Sequence, residues 1–545
     1  MVQAEDSGGR ASTDAAAART EKLNTKAAGI VGLAVLCSRI LGLAREQVFA
    51  AIFGGGRVMD AFTIAFRTPN LLRDLFAEGA LSTAFVTTFS KTAAMEGDQA
   101  AWRLANKVAT LAVVCLSGII VVGILIAPWL VSLLAPGFDA QKAALTVTLA
   151  RTMYPFILLV SLAALVMGML NAKNVFGMPA MASSFFNVGS IAGGVAIGWW
   201  LDPHFGPKAV LGLALGTLIG GALQFGVQVP TLYRLGYVYR PDFRWRDAGV
   251  RAILRLMGPS VVAASSTQVN VLINSIFASN LGDGPTFWLA VAFRLMQLPL
   301  GVFGVALGTV ALPLLARMAA AGNVDAFRRE LAHGIRLAFL MTVPATIGLM
   351  VLSEPIISVL YQHGRFGAHE TAEAAAALRF YAIGLCSYAA LKVLVNAFYA
   401  LDRRKTPMLV SFVAVGLNLL LNWLFTLQLG WGHRGLALST ACIATTNFLL
   451  LYILMRRQLR ELHSGALFAL LGKLALCGLV LGAVCWAGKC YLLADWRTQL
   501  FWPKLASLML TIAVAGGAFV LTAGMLRIAE LTEILAAVKR RLARR

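Results

Sequence analysis

The residues with the most chemical potential in this chain are arginines that interrupt apolar runs. Arg39 and Arg45 lie in a run over 28-53, Arg67 and Arg73 in one over 59-90, and Arg294 in one over 286-317. An arginine at the middle of a membrane span costs roughly 2.5 to 3.5 kcal/mol on insertion scales, so such residues face a cavity or a partner. Arg39 and Arg45 are six residues apart, which on a helix separates them by about 120° and about 9 Å in height, giving one broad wall with cations at two depths. The second run carries Asp60, Arg67, Pro69, Asn70, Arg73, Asp74 and Glu78, with Arg67, Asn70, Asp74 and Glu78 at helical spacing on one face and Pro69 placed to bend it. The third has Arg294 followed by Pro299. Guanidinium forks suit bidentate capture of phosphate oxygens and stay charged when desolvated, so the pattern points to an anionic substrate, a phosphate or diphosphate. Internal pairing is the alternative, Arg45 with Asp60 or Arg73 with Glu78 closing a gate, and both roles fit different states of one transport cycle.

These residues need helices in a bilayer to position them. Of 545 residues, 59% are apolar and 13% charged, and the mean hydropathy is +0.76, which excludes a soluble globular chain. A span needs about 20 largely apolar residues, and the runs between charged or Pro/Gly-rich breaks give about fourteen: 28-53, 59-90, 107-134, 143-171, 180-201, 207-234, 252-280, 286-317, 335-360, 371-401, 407-430, 434-456, 465-490 and 503-526. The second and eighth are weak in hydropathy. Basic residues alternate from loop to loop as the positive-inside rule requires. The loops after even spans hold Lys91, Arg103 and Lys107, then Lys173, then Arg234, Arg240, Arg244, Arg246 and Arg251, then Arg328 and Arg329, and so to Arg403, Arg404, Lys405, Arg456, Arg457 and Arg460. Both termini are therefore expected in the cytoplasm. The net charge of +22 is mostly topological and gives no reason to invoke nucleic acid.

A weak internal period of about 227 residues divides the spans. Pro128 matches Pro355, Ser161 matches Ser387, Pro179 matches Pro407, "GLALGT" at Gly212 matches "GLALST" at Gly435, and "AFR" ending at Arg67 matches "AFR" ending at Arg294. Each unit holds six spans, an even number, so the copies share one orientation and an axis along the membrane normal. The expected fold is an all-α polytopic membrane protein with about 14 transmembrane helices, two parallel-repeat six-helix lobes plus two extra C-terminal helices. Its parts are a disordered cytoplasmic tail over 1-27 without a cleavable signal, an N-lobe over 28-236, a cytoplasmic linker over 237-250 and a C-lobe over 251-460. The appended pair over 461-530 and a basic cytoplasmic tail over 531-545 complete it.

Other signals resolve to structure. "GGGRVMD" at Gly54 lacks the Lys-Ser/Thr of a phosphate loop and reads as a turn. "HETAE" at His369 has Glu where a zinc helix needs its second His, and the seven cysteines show no CxxC pair, so no metal site is implied. Gly189/Gly193 and Gly212/Gly216/Gly220 have the spacing of close helix packing. Asn270, Asn274, Asn396, Asn418 and Asn422 suit either helix packing or a monovalent cation. No nucleophile or paired-carboxylate arrangement supports an enzyme, so a membrane-embedded transferase lacks its site.

The stretches "SRILGLAREQVFAAIFG", "DAFTIAFRTPNLLRDLFAEGALSTAFV", "APGF" and "FRLMQLPLGVFGVALGTVALP" closely resemble the MurJ/MviN family of lipid II flippases, in the multidrug/oligosaccharidyl-lipid/polysaccharide exporter superfamily. The resemblance runs from about residue 28 to the end. It implies movement of an undecaprenyl-diphosphate-linked peptidoglycan precursor, lipid II, from the inner to the outer leaflet of the bacterial cytoplasmic membrane. The last two helices are implied to form a hydrophobic groove for the polyprenyl tail. The family's substrate-binding residues carry over onto Arg39, Arg45, Arg73, Arg294 and Ser38, and gating acids onto Asp60 and Glu78, with Glu46 as a further salt-bridge partner. Two departures stand out: Phe293 and Gln297 occupy positions where many members have acids, and Asp74 stands where some double the arginine. No cofactor is implied, since membrane potential or a monovalent ion can supply the energy. The expected partners are lipid II and membrane lipids, with the chain a monomer. The nearest rival is a flippase for another polyprenyl-diphosphate-linked oligosaccharide; a drug exporter would favour acids and aromatics over this arginine lining.

Overall fold

A computed structural model describes residues 31–73, 81–494 and 500–543. The expected tail over 1-27, Asp74, Glu78, Arg497, Arg544 and Arg545 lie outside the described residues. Through the described residues the elements are helices. The first twelve are α1 (31–53), α2 (Arg57–Arg73), α3 (Ser82–Glu96), α4 (Asp98–Leu134), α5 (Ala140–Met153), α6 (Phe156–Ala172), α7 (Gly177–Leu201), α8 (Val210–Gly226), α9 (Val229–Arg234), α10 (Ala248–Ser279), α11 (Pro285–Pro299) and α12 (Val305–Ala320). There follow α13 (Val324–Val351), α14 (Ser353–Tyr361), α15 (Ala368–Ile383), α16 (Leu385–Ala400), α17 (Lys405–Asn422), α18 (Gly432–Leu459), α19 (Ser464–Tyr491), α20 (Phe501–Met525) and α21 (Ala529–Ala543).

Among the described residues ten helical stretches are long and apolar enough to cross a membrane, and α15 with α16, bent by 42°, makes an eleventh. α1 falls outside that set for a chemical reason, and α2, at 17 described residues, is shorter than its members. α1 carries Arg39, Arg45 and Glu46, α2 carries Asp60, Arg67 and Arg73, and α10 carries Ser275, Gln268, Asn270 and Asn274. Polar side chains that give a span its use also lower its hydropathy.

Contacts divide the chain into two units, residues 1–53, 64–131 and 141–265 in one and 54–63, 132–140 and 266–545 in the other. The first unit has a core in which Phe85, Phe89, Leu104, Val108, Leu165, Met169 and Tyr237 are buried together. Its tightest seam joins α7 to α8. A Cβ on Gly212 would collide with the backbone of Gly198, one on Gly216 with Gly194, and one on Gly220 with the Phe186 carbonyl. The pairing numbers descend as the glycine numbers rise, so α7 and α8 are antiparallel, and the small residues let their backbones touch.

The repeat shows in where helices break. The fourth span of the first unit breaks at Tyr154 and Pro155, between α5 and α6, and the corresponding span of the second breaks at Gly384, between α15 and α16. Pro155 lacks an N–H and starts a new helix there, whereas Gly384 packs against the Ala441 backbone where a side chain would not fit. The copies differ elsewhere: Pro128 sits inside the unbroken α4, while Pro355 lies in the first turn of α14, just after a break at Leu352. α11 also ends at Pro299 and passes through a π turn over Leu300–Gly304 into α12, a local loosening typical of proline sites in membrane helices.

The appended pair belongs to the second unit. Gly478 lets α19 close on Ile347 of α13, and Gly488 lets it close on Thr511 of α20. Glu354 of α14 receives both Arg379 and Lys489 at 3.0 Å. Residues 529–543 form α21, with Glu530 in its first turn, a favourable sign for the helix dipole. Arg336 of α13 holds Glu530 at 2.5 Å, so the basic C-terminal segment is helical and tied to the second unit.

Candidate substrate site and its supports

In the first unit Arg39 is exposed, and Ser38, Arg45, Glu46 and Arg73 are half-buried. Asn187 of α7 fixes α1 by donating from Nδ2 to the Ser38 carbonyl at 3.2 Å and to the Ser183 carbonyl at 3.1 Å. The same amide lies over Gly42, and Phe49 lies over Gly194, so α1 and α7 run parallel. The Arg45 guanidinium carbon lies 5.1 Å from the centre of the Phe186 ring. A guanidinium within about 6 Å of an aromatic ring centre is attracted by the ring's negative face. Phe186 is braced by Phe156 at 5.4 Å, and Phe156 by Phe66 at 5.9 Å. The aromatic chain thus spans α2, α6 and α7 beneath the cation. Arg73 is the last described residue of α2. Three residues before it, Asn70 Oδ1 is buried and has no hydrogen-bond partner among the described residues.

In the second unit the supports are better defined. Asp60 is fully buried, and its carboxylate oxygens accept from Gly284 N at 2.6 Å and Phe287 N at 2.8 Å. α11 begins at Pro285, and its N-cap position is Gly284, which has no side chain to cap with. Asp60 supplies the cap from elsewhere in the sequence, placing a negative charge where the helix dipole favours it. Gly284 has φ +107° and the Trp288 ring lies where its Cβ would be, so only glycine fits the turn. The capped helix also carries Arg294, ten residues on, about 15 Å along the axis. Phe293 packs edge-to-face on Tyr381 at 5.4 Å, and Gln297 is exposed. At Phe293 an aromatic contact holds α11 to α15.

The turn at Gly54 completes this cluster. Gly54 has φ +79° and lies against the Arg365 carbonyl, and Gly55 lies against Phe366 and Glu370. Arg57 pairs with Asp139, and with Asp283 at 3.6 Å. Trp288 stands between His369 at 5.5 Å and His433 at 5.4 Å. His433 Nε2 lies 3.1 Å from the Glu373 carbonyl, and Arg434 reaches the Glu373 carboxylate at 3.3 Å. "HETAE" proves to be a helix start: Glu370 accepts from Gly367 N at 2.9 Å. Sequence reasoning missed the Trp288, His369, His433 and Glu373 group because its members come from three helices, with only terminal positions in common.

The asparagines settle into pairs. Asn418 Nδ2 donates to Asn270 Oδ1 at 2.8 Å, Asn422 Nδ2 to Asn274 Oδ1 at 2.7 Å, and Asn396 Nδ2 to the Gly308 carbonyl at 2.8 Å. Ascending numbers pair with ascending numbers, so α10 and α17 are parallel. These amides bond to one another, which is the packing use.

The linker between α9 and α10 is fixed to α4. Asn106 donates to the Val238 carbonyl at 3.3 Å, Lys107 meets Asp247 at 2.6 Å, and Thr110 lies 3.2 Å from the Tyr239 hydroxyl. Hydrogen bonds from Arg244 hold the Asp242 carboxyl down at about 2, and the bonded Lys107 ammonium lowers that of Asp247. Burial pushes the Tyr237 phenol upward. The spacing 106, 107, 110 was the available signal, a polar strip on one face of an apolar helix.

Many apolar spans, two helical units and ion pairs kept mostly to helix ends define a multi-pass membrane transporter. The fold is that of a solved structure described as lipid II flippase MurJ in an inward closed conformation, with TM-score 0.74 and 24% identity, covering 91% of this chain and 99% of that one. It is also that of an inward-facing multidrug resistance transporter of the MATE family, with TM-score 0.67 and 15% identity over 78% and 96%. The profile of the lipid II flippase MurJ family matches residues 49–507, and the chain belongs to that family. A lipid II flippase MurJ of Burkholderia cenocepacia is 37% identical over 429 residues, 78% of this chain and 82% of the relative. A probable lipid II flippase MurJ of Vibrio cholerae is 35% identical over 475 residues, 84% and 88%.

Proposed function

We propose that this protein is a lipid II flippase of the bacterial cytoplasmic membrane and serves peptidoglycan synthesis by alternating access. α1, α2 and α10 join the eleven apolar spans to make fourteen, with both termini cytoplasmic and the chain acting as a monomer. Arg39, Arg45, Arg73 and Arg294 line one cavity and hold the diphosphate, with Ser38 beside them. The polyprenyl tail lies along α19 and α20, whose outer faces expose Phe468, Leu479, Trp486 and Leu521. Asp60 acts in gating as the cap of α11, with Glu46 and Glu78 as further acids of the gates.

The observation that carries this reading is the placement of arginines on α1, α2 and α11 in a member of this family, with Arg45 mounted on Phe186 rather than buried in apolar packing. The test is conditional depletion of a host flippase with rescue by this chain, scored by which lipid-linked precursor accumulates on the cytoplasmic side. Rescue by the natural chain and loss in Arg39→Ala, Arg45→Ala and Arg294→Ala, each still folded, is expected. Full rescue by all three variants sinks the arginine assignment. Accumulation of a different polyprenyl-diphosphate oligosaccharide, with lipid II unaffected, sinks the substrate.

A further inference from the structure

The linker over 235–247 does more than connect α9 to α10. Besides the bonds to Asn106, Lys107 and Thr110, Asp242 N donates to Thr110 Oγ1 at 3.1 Å and Arg251 donates to the Arg246 carbonyl at 2.6 Å. The segment so held borders an open surface pocket of about 500 Å³ lined by Lys107, Phe243, Arg244, Trp245, Arg246 and Asp247. The lining has three cations against one carboxylate. Asp247 is taken by Lys107 and by Gly249 N at 2.9 Å, and Asp242 by Arg244 at 2.7 Å, so both acids of the linker are engaged, each by one cation, which leaves Arg246 as the lining cation with no acid on it among the described residues. Trp245 Nε1 is buried with no hydrogen-bond partner among the described residues.

Beside the cations stand exposed apolar side chains, Phe243 at 64%, Val238 at 56% and Tyr239 at 40%, with Phe243 against Trp245 at 5.7 Å. A site for a free anion has no use for them. Aromatic residues beside arginines are the composition of a membrane-interface segment, where the rings enter the headgroup layer and the cations meet lipid phosphate. We propose that this pocket binds the phosphate of an anionic phospholipid headgroup, held by Arg246 with the N–H groups of Arg244 and Lys107 that face it, while Phe243 and Val238 enter the lipid. The bound lipid is a surface component of the membrane and separate from the transported molecule.

The test uses the full chain in nanodiscs of phosphatidylcholine containing phosphatidylglycerol brominated near its carbonyl end, against brominated phosphatidylcholine, with Trp245→Phe isolating the Trp245 emission. Preferential quenching by the anionic lipid, weakened by salt, is expected. Arg244→Gln with Arg246→Gln should raise the half-saturating fraction of that lipid about thirtyfold, at roughly fivefold per basic residue near an anionic surface. Equal quenching by the two lipids, or an unchanged preference in the double variant, overturns the site. Protection by inorganic phosphate in pure phosphatidylcholine, with no quenching by the anionic lipid, makes it a free-phosphate site and overturns the lipid assignment.

Discussion

At the residue scale, Asp60 shows how an acid placed by sequence acquires a role that its neighbours in sequence do not disclose. Its position at the start of the second span was legible, and an arginine partner was the expectation. The two N–H groups it accepts come from residues 284 and 287, a separation of well over two hundred positions that no local pattern encodes. Asp60→Ala leaves those buried donors unsatisfied, and each such group costs about 1 to 3 kcal/mol. It should therefore lower the unfolding temperature in detergent and abolish transport. Asp60→Asn keeps one acceptor but turns an amide N–H toward the other donor, so an intermediate loss in thermal unfolding and in rescue is expected. The linker acids give a pH prediction. Asp242 ordinarily titrates near 3.8 and is held at about 2 by Arg244, so its contribution to docking is fully present above 3.8 and is lost as pH falls through 2. Trp245 emission should stay constant from pH 7 to 5 and change only below the ordinary carboxylate range; a midpoint near 4 or above contradicts the Arg244 contact.

Elements were more legible than contacts, though unevenly. The apolar runs predicted helices within a few residues at most ends, because length and composition are set by the bilayer itself. The interior breaks were hidden: a hydropathy run cannot distinguish a straight helix from α5 and α6 meeting at Pro155. Glycine spacing on α7 and α8 did predict close packing, and it yields a paired test. Gly216→Leu places a side chain into the Gly194 backbone and should prevent recovery of a monodisperse protein on size-exclusion chromatography. Gly226→Ala faces open space and should elute unchanged. For the amide ladder, a double-mutant cycle of Asn274→Leu and Asn422→Leu should give a coupling near 0.6 kcal/mol and at most about 1.7, the range for interhelical hydrogen bonds in membranes. Strictly additive losses would show that the two amides do not bond.

For the molecule as a whole, charge distribution carries the energetics. Among the described residues most Lys and Arg lie on helices, and those on α1, α2 and α11 are proposed to be the ones a membrane field acts on. Each unit charge carried across is worth about 2.3 kcal/mol per 100 mV, so collapsing the potential with a potassium ionophore should slow lipid II translocation by this chain in proteoliposomes. Unchanged rates in the absence of a potential would remove the field as the driving force. The repeat was faint as residue matches and firmer as architecture, since Asn187 reaches back 149 positions to the first helix of its unit and Asn418 reaches back 148 in the other. Those spacings also set a clock for biogenesis. At about 5 to 20 residues per second, a ribosome needs roughly 7 to 30 s to deliver the partner helix. For that interval the amides of Asn270 and Asn274 stand in the bilayer ahead of the helix that will satisfy them. The chain therefore has a window in which an insertase or a membrane chaperone has something polar to hold.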